Sequence, residues 1–156
     1  MRVITCNTNG IRAAQRKGFF EWLADQKADV VCIQETKAQE HQLDSALFYP
    51  AGYHCLYNDA ESKGYSGTAV YSRLAPTGVT TRLGWEPVDS EGRYLQVDFD
   101  KLSVVSVYVP SGSSGDEAQA RKEVFMDHFY ELLKSLRRKR REFIICADWN
   151  ICHKEI

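Results

Sequence analysis

The sequence predicts an α/β fold: a mixed β-sheet with helices packed outside it. Short β-branched apolar runs recur along the chain, one long segment repeats its apolar residues at helical spacing, and strands outnumber helices. At 156 residues the chain has room for one domain with a real core. It contains no internal repeat and no low-complexity tract.

The first strand runs from Arg2 to Cys6 and turns through Asn7-Thr8-Asn9-Gly10, a cluster suited to positive φ and helix capping. A helix is expected from about Ala13 to Gln26, with Phe19, Phe20 and Leu23 on one face. Ala28 to Gln34 is an almost unbroken apolar run, as in a strand covered on both faces. Gln42 to Leu47 reads as a short helix and Tyr53 to Tyr57 as a strand. Gly64-Tyr65-Ser66-Gly67 leads into strand Thr68 to Tyr71, its glycines signalling close backbone approach or a bulge. Val79 to Leu83 is a weaker strand. Tyr94 to Phe99 and Leu102 to Tyr108 form a hairpin turning at Asp100-Lys101. Pro110 to Gly115 is a loop of small residues that a phosphate backbone could approach. The longest helix opens at Asp116 or Glu117 and runs to about Leu136, with Val124, Phe125, Phe129, Leu132, Leu133 and Leu136 as its buried stripe. A last strand, Phe143 to Cys146, delivers Ala147-Asp148-Trp149-Asn150.

Twenty basic against twenty-one acidic residues leave the chain nearly neutral, so attraction to a polyanion would need a local basic face. The five cysteines are odd in number and form no CxxC; three sit in strand-like runs as small hydrophobes. Together with the lack of a signal-peptide pattern or a membrane-length apolar stretch, this leads to the expectation of a soluble, cytoplasmic protein without membrane contact.

Four apolar runs end in polar groups: Asn7, Glu35, Tyr108, and Asp148 with Asn150. Phosphodiester cleavage needs a cation for the non-bridging oxygens, a deprotonated water and a stabilised leaving oxygen. Magnesium takes oxygen ligands, few of them from protein. Glu35 with Asn7 suits that ion, Asp148 suits the base, Asn150 could orient the water or donate to the developing oxyanion, and Tyr108 could donate to a phosphate oxygen. Each residue also has a plainer reading. Taken alone, Asn7 reads as the cap of a turn, Glu35 as the start of a solvated loop, Tyr108 as an ordinary strand aromatic, and Asp148-Trp149-Asn150 as a turn opener. The conjunction carries the functional reading. The run Arg137 to Arg141 reads mainly as cations at a helix C-terminus, away from the strand tips. His128 reads as a packing residue, and His153 completes no zinc spacing and no nucleophile triad.

Asn7-Thr8-Asn9-Gly10-Ile11-Arg12, Gln34-Glu35-Thr36-Lys37, Gly64-Tyr65-Ser66-Gly67, Tyr108-Val109-Pro110 and Asp148-Trp149-Asn150 follow in the order and spacing of the exonuclease III family. These are Mg²⁺-dependent AP endonucleases and 3′-exonucleases of the endonuclease/exonuclease/phosphatase superfamily. The chain resembles that family over all 156 residues. The resemblance implies a DNase I-like, four-layer α/β sandwich with the site at one end of two packed sheets. It implies Mg²⁺, with Mn²⁺ as substitute, bound by Glu35 with Asn7 nearby and by Asp148 and Asn150. It further implies that Asp148 handles the water, Asn150 orients it, and Tyr108 contacts the scissile phosphate. Asn9, Arg12 and Lys37 match supporting positions around the metal and the DNA backbone. The implied substrate is double-stranded DNA carrying abasic sites or 3′ ends.

Two departures stand out. Ala147 replaces the glycine usual before the motif's Asp. The family's chain also continues into another sheet-and-helix half ending in Ser-Asp-His. Residues 1–156 are therefore expected to be the N-terminal portion of a single domain, truncated at the C-terminus. Half a sandwich should expose a sheet's inner face, so this chain is expected to self-associate or be inactive, whereas a full-length protein would be monomeric. The alternative function is a regulatory protein of nucleic-acid complexes, resembling the catabolite-repression-control protein. Retention of Asn7, Glu35, Tyr108, Asp148 and Asn150 argues against it. A phosphoesterase of lipids or small phosphates ranks last.

Overall fold

Among the described residues, eight strands divide equally between two sheets. The computed structural model describes residues 1–151. One sheet has the order β1 (Val3–Asn7), β2 (Val30–Gln34), β4 (Thr68–Ser72), β3 (His54–Asn58); the other is β5 (Gly78–Thr80), β6 (Tyr94–Asp98), β7 (Leu102–Tyr108), β8 (Glu142–Asp148). The β1–β2 and β7–β8 pairs are parallel and the rest antiparallel. In register, Asn7 stands beside Gln34 and Tyr108 beside Asp148, so each parallel pair ends level.

Period-two alternation builds three apolar layers. Val30, Cys32 and Val70 of the first sheet meet Leu95, Val97 and Val104 of the second, all fully buried. The opposite face of the first sheet, Val31, Ile33, Ala69 and Tyr71, packs on helix α1 (Ile11–Arg16) and helix α2 (Phe19–Gln26) through Ile11, Phe20 and Leu23. The outer face of the second sheet, Tyr94, Val105 and Val107, packs on helix α4 (Asp116–Leu136) through Phe125 and Phe129. The result is the expected helix–sheet–sheet–helix sandwich.

Several local expectations give way to competing hydrogen bonds. The helix expected over 13–26 is two helices, because the Lys17 and Gly18 N–H groups close back on Ala14 and Gln15, three residues earlier, and tighten α1 to a stop. The helix expected at 42–47 is two 3-10 turns, Glu40–Gln42 and Ala46–Phe48; the Ser45 hydroxyl accepts the Leu47 N–H and starts the second afresh. The strand expected to reach Leu83 stops at Thr80, since the Leu83 and Gly84 N–H groups donate to the Asp89 carboxylate at 2.7 and 2.9 Å. That carboxylate belongs to an unexpected short helix, α3 (Glu86–Asp89), with Pro87 in its first turn. Val124 is half exposed rather than part of the α4 stripe. Of the cysteines, Cys32 is buried and Cys6, Cys55 and Cys146 are partly exposed; Cys152 and His153 lie outside the described residues.

The expectation of an exposed inner sheet face is corrected as well. The chain contributes four strands to each sheet, so the inner faces cover one another. The edge strands among the described residues are β1 and β3 in the first sheet and β5 and β8 in the second.

Candidate active site

The C-terminal ends of β1, β2, β7 and β8 meet at one end of the sandwich. Gln34, fully buried, supports them from below: its amide N–H group donates to Ser106 Oγ across the sheet interface at 3.0 Å, and its carbonyl accepts from Thr5 Oγ1. Ser106 in turn donates to the Ile33 carbonyl at 2.9 Å. A polar bridge between two apolar layers fixes how far one sheet can slide on the other.

Glu35 follows β2 in a left-handed conformation, φ 60°. Its carbonyl accepts the Gly10 N–H, while the Thr36 and Lys37 N–H groups donate to the Gly67 and Ser66 carbonyls. The turn is thus clamped between the loop after β1 and the loop before β4. Asn9, Lys37, Ser66 and Asn150 also have φ between 44° and 49°. Such conformations cost about 1–3 kcal/mol each and persist where the surroundings enforce them, commonly at functional sites.

The side chains form one bonded cluster. The Asn7 amide donates to Asp148 Oδ2 at 2.6 Å, joining the two sheets. The Tyr108 hydroxyl donates to Glu35 Oε1 at 3.0 Å. The Lys37 ammonium lies 2.9 Å from the same oxygen and 2.6 Å from Asn9 Oδ1. Burial pushes the Glu35 carboxyl up, but the bonds from Lys37, Asn7 and Tyr108 outweigh it and leave it below its usual range. Burial, reinforced by the Glu35 charge, drives the Tyr108 phenol well above its ordinary value, with the Arg93 charge opposing. Tyr108 is therefore a donor at neutral pH.

Six of the residues singled out from sequence (Asn7, Asn9, Glu35, Lys37, Tyr108 and Asp148) share this cluster. Two details differ from expectation. The Asn7 carbonyl oxygen, expected to face a cation, accepts the Asn9 N–H at 2.8 Å, and its N–H group faces the acids. Asn150 joins through its backbone N–H to Asp148 Oδ1, while its side-chain amide donates to the Val109 carbonyl at 2.8 Å. Lys122 of α4 holds the Asn150 carbonyl at 2.5 Å. Arg12 stays exposed on α1, outside the bonded cluster among the described residues. The basic run is remote: Arg141 caps the β6–β7 hairpin through the Phe99 and Leu102 carbonyls. From there β8 extends roughly 20 Å to Asp148. His128 stacks on Trp85 at 4.3 Å, the packing role expected of it.

Sequence reasoning missed the scaffold of the site: Gln34 as a bridge, Lys122, and Arg93 with Tyr65. Gln34 carried a signal, a polar residue closing a wholly apolar strand. Arg93 carried none. Beside the cluster opens a cleft of about 480 Å³ bounded by Tyr65, Arg93, Tyr108, Ser111 and Val124.

The donors suit a hard cation. Among the described residues no three His, Cys, Asp or Glu side chains converge. Two carboxylates among amides match an ion that keeps most of its water.

Comparison with known proteins agrees with this fold. The sequence profile of the Endonuclease/Exonuclease/phosphatase family matches residues 4–156. The chain is 37% identical to an exodeoxyribonuclease of Bacillus subtilis, all of the chain aligning with 61% of that protein. It is 32% identical to the DNA repair nuclease APEX1 of Danio rerio, again over the whole chain and 51% of the relative. The solved structure of an AP endonuclease from Archaeoglobus fulgidus aligns with a TM-score of 0.84 at 29% identity, covering 99% of this chain and 59% of that one. The chain thus spans roughly half to three fifths of the relatives it matches. Motif order, sandwich and profile agree, and the chain belongs to the Endonuclease/Exonuclease/phosphatase family.

Proposed function

We propose that residues 1–156 carry the phosphodiester-hydrolysing end of a DNA repair nuclease of the exonuclease III type, acting at abasic sites and 3′ ends of double-stranded DNA. One observation supports this most: the 2.6 Å bond from Asn7 to Asp148 closes the gap between two sheets and brings Asp148 to the Glu35–Tyr108 pair. A fold held together by apolar layers has no need of two acids, an amide and a phenol at one end.

Glu35, with Asn7 beside it, is the holder of a divalent cation, Mg²⁺ or Mn²⁺. When bound, that ion would neutralise the non-bridging phosphate oxygens and make water more acidic. Asp148 takes the proton from the attacking water, and the Asn7 N–H keeps its carboxylate oriented while it does so. Tyr108 donates its phenolic O–H toward a phosphate oxygen. Asn150, braced by Val109 and Lys122, sets the turn that aims Asp148 and offers its amide to the water. Asn9 and Lys37 steady Glu35 and face the backbone of the nucleic acid, with Arg12 exposed beside them to contact phosphate.

Incision of a fluorescein-labelled duplex bearing one abasic analogue, with and without Mg²⁺, tests this. Cation uptake is read separately by calorimetric titration with Mn²⁺. The expectation is Mn²⁺ binding and Mg²⁺-dependent incision, both lost in Glu35→Ala, with Asp148→Asn losing incision by about a thousandfold or more. A chain that takes up no divalent ion and incises nothing overturns the proposal.

A further inference from the structure

Arg93 is the most completely engaged charged side chain near the site, and neither the motifs nor the proposed chemistry assigns it a task. It is 3% exposed. All three of its nitrogens are used: Nε pairs with Glu91, Nη1 donates to the Tyr108 carbonyl at 3.0 Å, and Nη2 donates to the Tyr65 hydroxyl at 2.8 Å. Its guanidinium carbon lies 4.9 Å from the Tyr108 ring centre and 5.6 Å from that of Tyr65. The Tyr108 N–H returns a bond to the Arg93 carbonyl. Tyr108 is therefore gripped by its main chain and by one ring face, with only its hydroxyl free to reach Glu35.

The second arm leads to the same acid by another route. Tyr65 belongs to the loop Gly64–Gly67, whose Ser66 and Gly67 carbonyls receive the Lys37 and Thr36 N–H groups directly after Glu35. The Gly67 N–H in turn donates to the Glu91 carbonyl. Arg93 thus braces Glu35 from the phenol side and from the loop side together.

We propose that Arg93 is a positioning residue that holds the Tyr108 phenol on Glu35 and ties the Gly64–Gly67 loop to the end of the second sheet. This deepens the nuclease reading and rests on it for its catalytic consequence. A planar three-nitrogen fork meets Glu91, a carbonyl and a phenol at once, whereas the single ammonium of lysine cannot. A shift of the phenol by about 1 Å is enough to cost up to a hundredfold in rate.

The test compares Arg93→Met, Arg93→Lys, Tyr108→Phe and the Arg93→Met/Tyr108→Phe double variant in the 156-residue chain. The chains carry 3-fluorotyrosine, and the Tyr108 ¹⁹F resonance is identified by its loss in Tyr108→Phe. Arg93→Met is expected to shift or split that resonance and to lower kcat for incision about ten- to a hundredfold. In the Tyr108→Phe background the same change should cost less than about threefold, because its effect passes through the phenol. Arg93→Lys keeps the charge and the bulk, and should give a smaller shift with partial activity. An unmoved resonance overturns the proposal, as does an equal loss of kcat in both backgrounds. A moved resonance in a chain that incises nothing sustains the placement of Tyr108 and removes the nuclease reading instead.

Discussion

Gly67→Ala should damage the site through one identifiable collision, and Thr36→Ala should undo most of the damage. A methyl group at Gly67 would lie 2.2 Å from Thr36 Oγ1, with Thr36 Cβ at an ordinary 3.6 Å and the Asn58 carbonyl also at 3.6 Å. Gly67 has φ +86°, a conformation that costs an L-residue about 1–2 kcal/mol. Forcing a buried Thr hydroxyl aside adds about 1–3 kcal/mol of overpacking, for a total of about 2–5 kcal/mol. Thr36 itself is 1% exposed, and its hydroxyl has no hydrogen-bond partner among the described residues. Thr36→Ala alone therefore gives up about 1 kcal/mol of methyl burial but also removes an unsatisfied buried hydroxyl, and should change stability little. The double variant deletes the colliding atom and should retain only the backbone cost of about 1–2 kcal/mol. Urea unfolding followed by tryptophan fluorescence measures all four chains. With a slope of about 2 kcal/mol/M, Gly67→Ala should move the midpoint down by about 1–2.5 M, and the double variant should recover about half or more of that. A Gly67→Ala chain as stable as the parent, or a double variant no better than the single, would refute the reasoning.

Gly92→Ala should be worse and without remedy: the added methyl would meet the Asn58 carbonyl and the Asp59 backbone at 2.4–2.8 Å. A loss of about 3 kcal/mol or more in urea, unrelieved by trimming any neighbouring side chain, is expected. Gln34→Leu should lose about 1–3 kcal/mol by removing the amide that bonds Ser106 Oγ and Thr5 Oγ1, and simple additivity of Gln34→Leu with Ser106→Ala in a double-mutant cycle would deny the bridge. Burial pushes the Cys55 thiol up to about 12, so it stays protonated at pH 8.5, where an unfolded thiol is about half ionised. Its alkylation by iodoacetamide, read by mass spectrometry, should be about a thousandfold slower in the native chain than in urea, and equal rates would contradict the burial.

Much of this architecture was legible from periodicity. Val30 to Gln34 is apolar at every position but the last because both faces are covered, and the 116–136 helix and the 94–108 hairpin stand where expected. Periodicity failed where side chains intercept backbone donors, as Asp89 does for Leu83 and Gly84 and Ser45 does for Leu47. Those bonds depend on how the chain folds back, which local pattern does not encode. The same division applies to the site. Its acids, amides and phenol stand out because polar residues ending apolar strands need a reason. Arg93 did not, because its partners Tyr65 and Tyr108 lie 28 and 15 residues away.

The site lies across the sheet interface, and this couples its geometry to the packing of the sandwich. Asn7 and Glu35 belong to one sheet and Tyr108 and Asp148 to the other, so the Asn7–Asp148 and Tyr108–Glu35 bonds are lost if the sheets part or slip. A register slip of one residue in β8 would turn Cys146 outward, put Ile145 and Ala147 into the interface, and carry Asp148 to the opposite face. The apolar alternation that packs β8 is thus also what aims Asp148. That explains why the polar bridge through Gln34 and Ser106 lies directly beneath the acids: apolar layers tolerate small translations, whereas directional bonds do not. Core and site are consequently one cooperative unit. A substitution at Val104 or Cys32, neither of which touches the acids, should perturb the Asn7–Asp148 bond in proportion to how far it lets the sheets move.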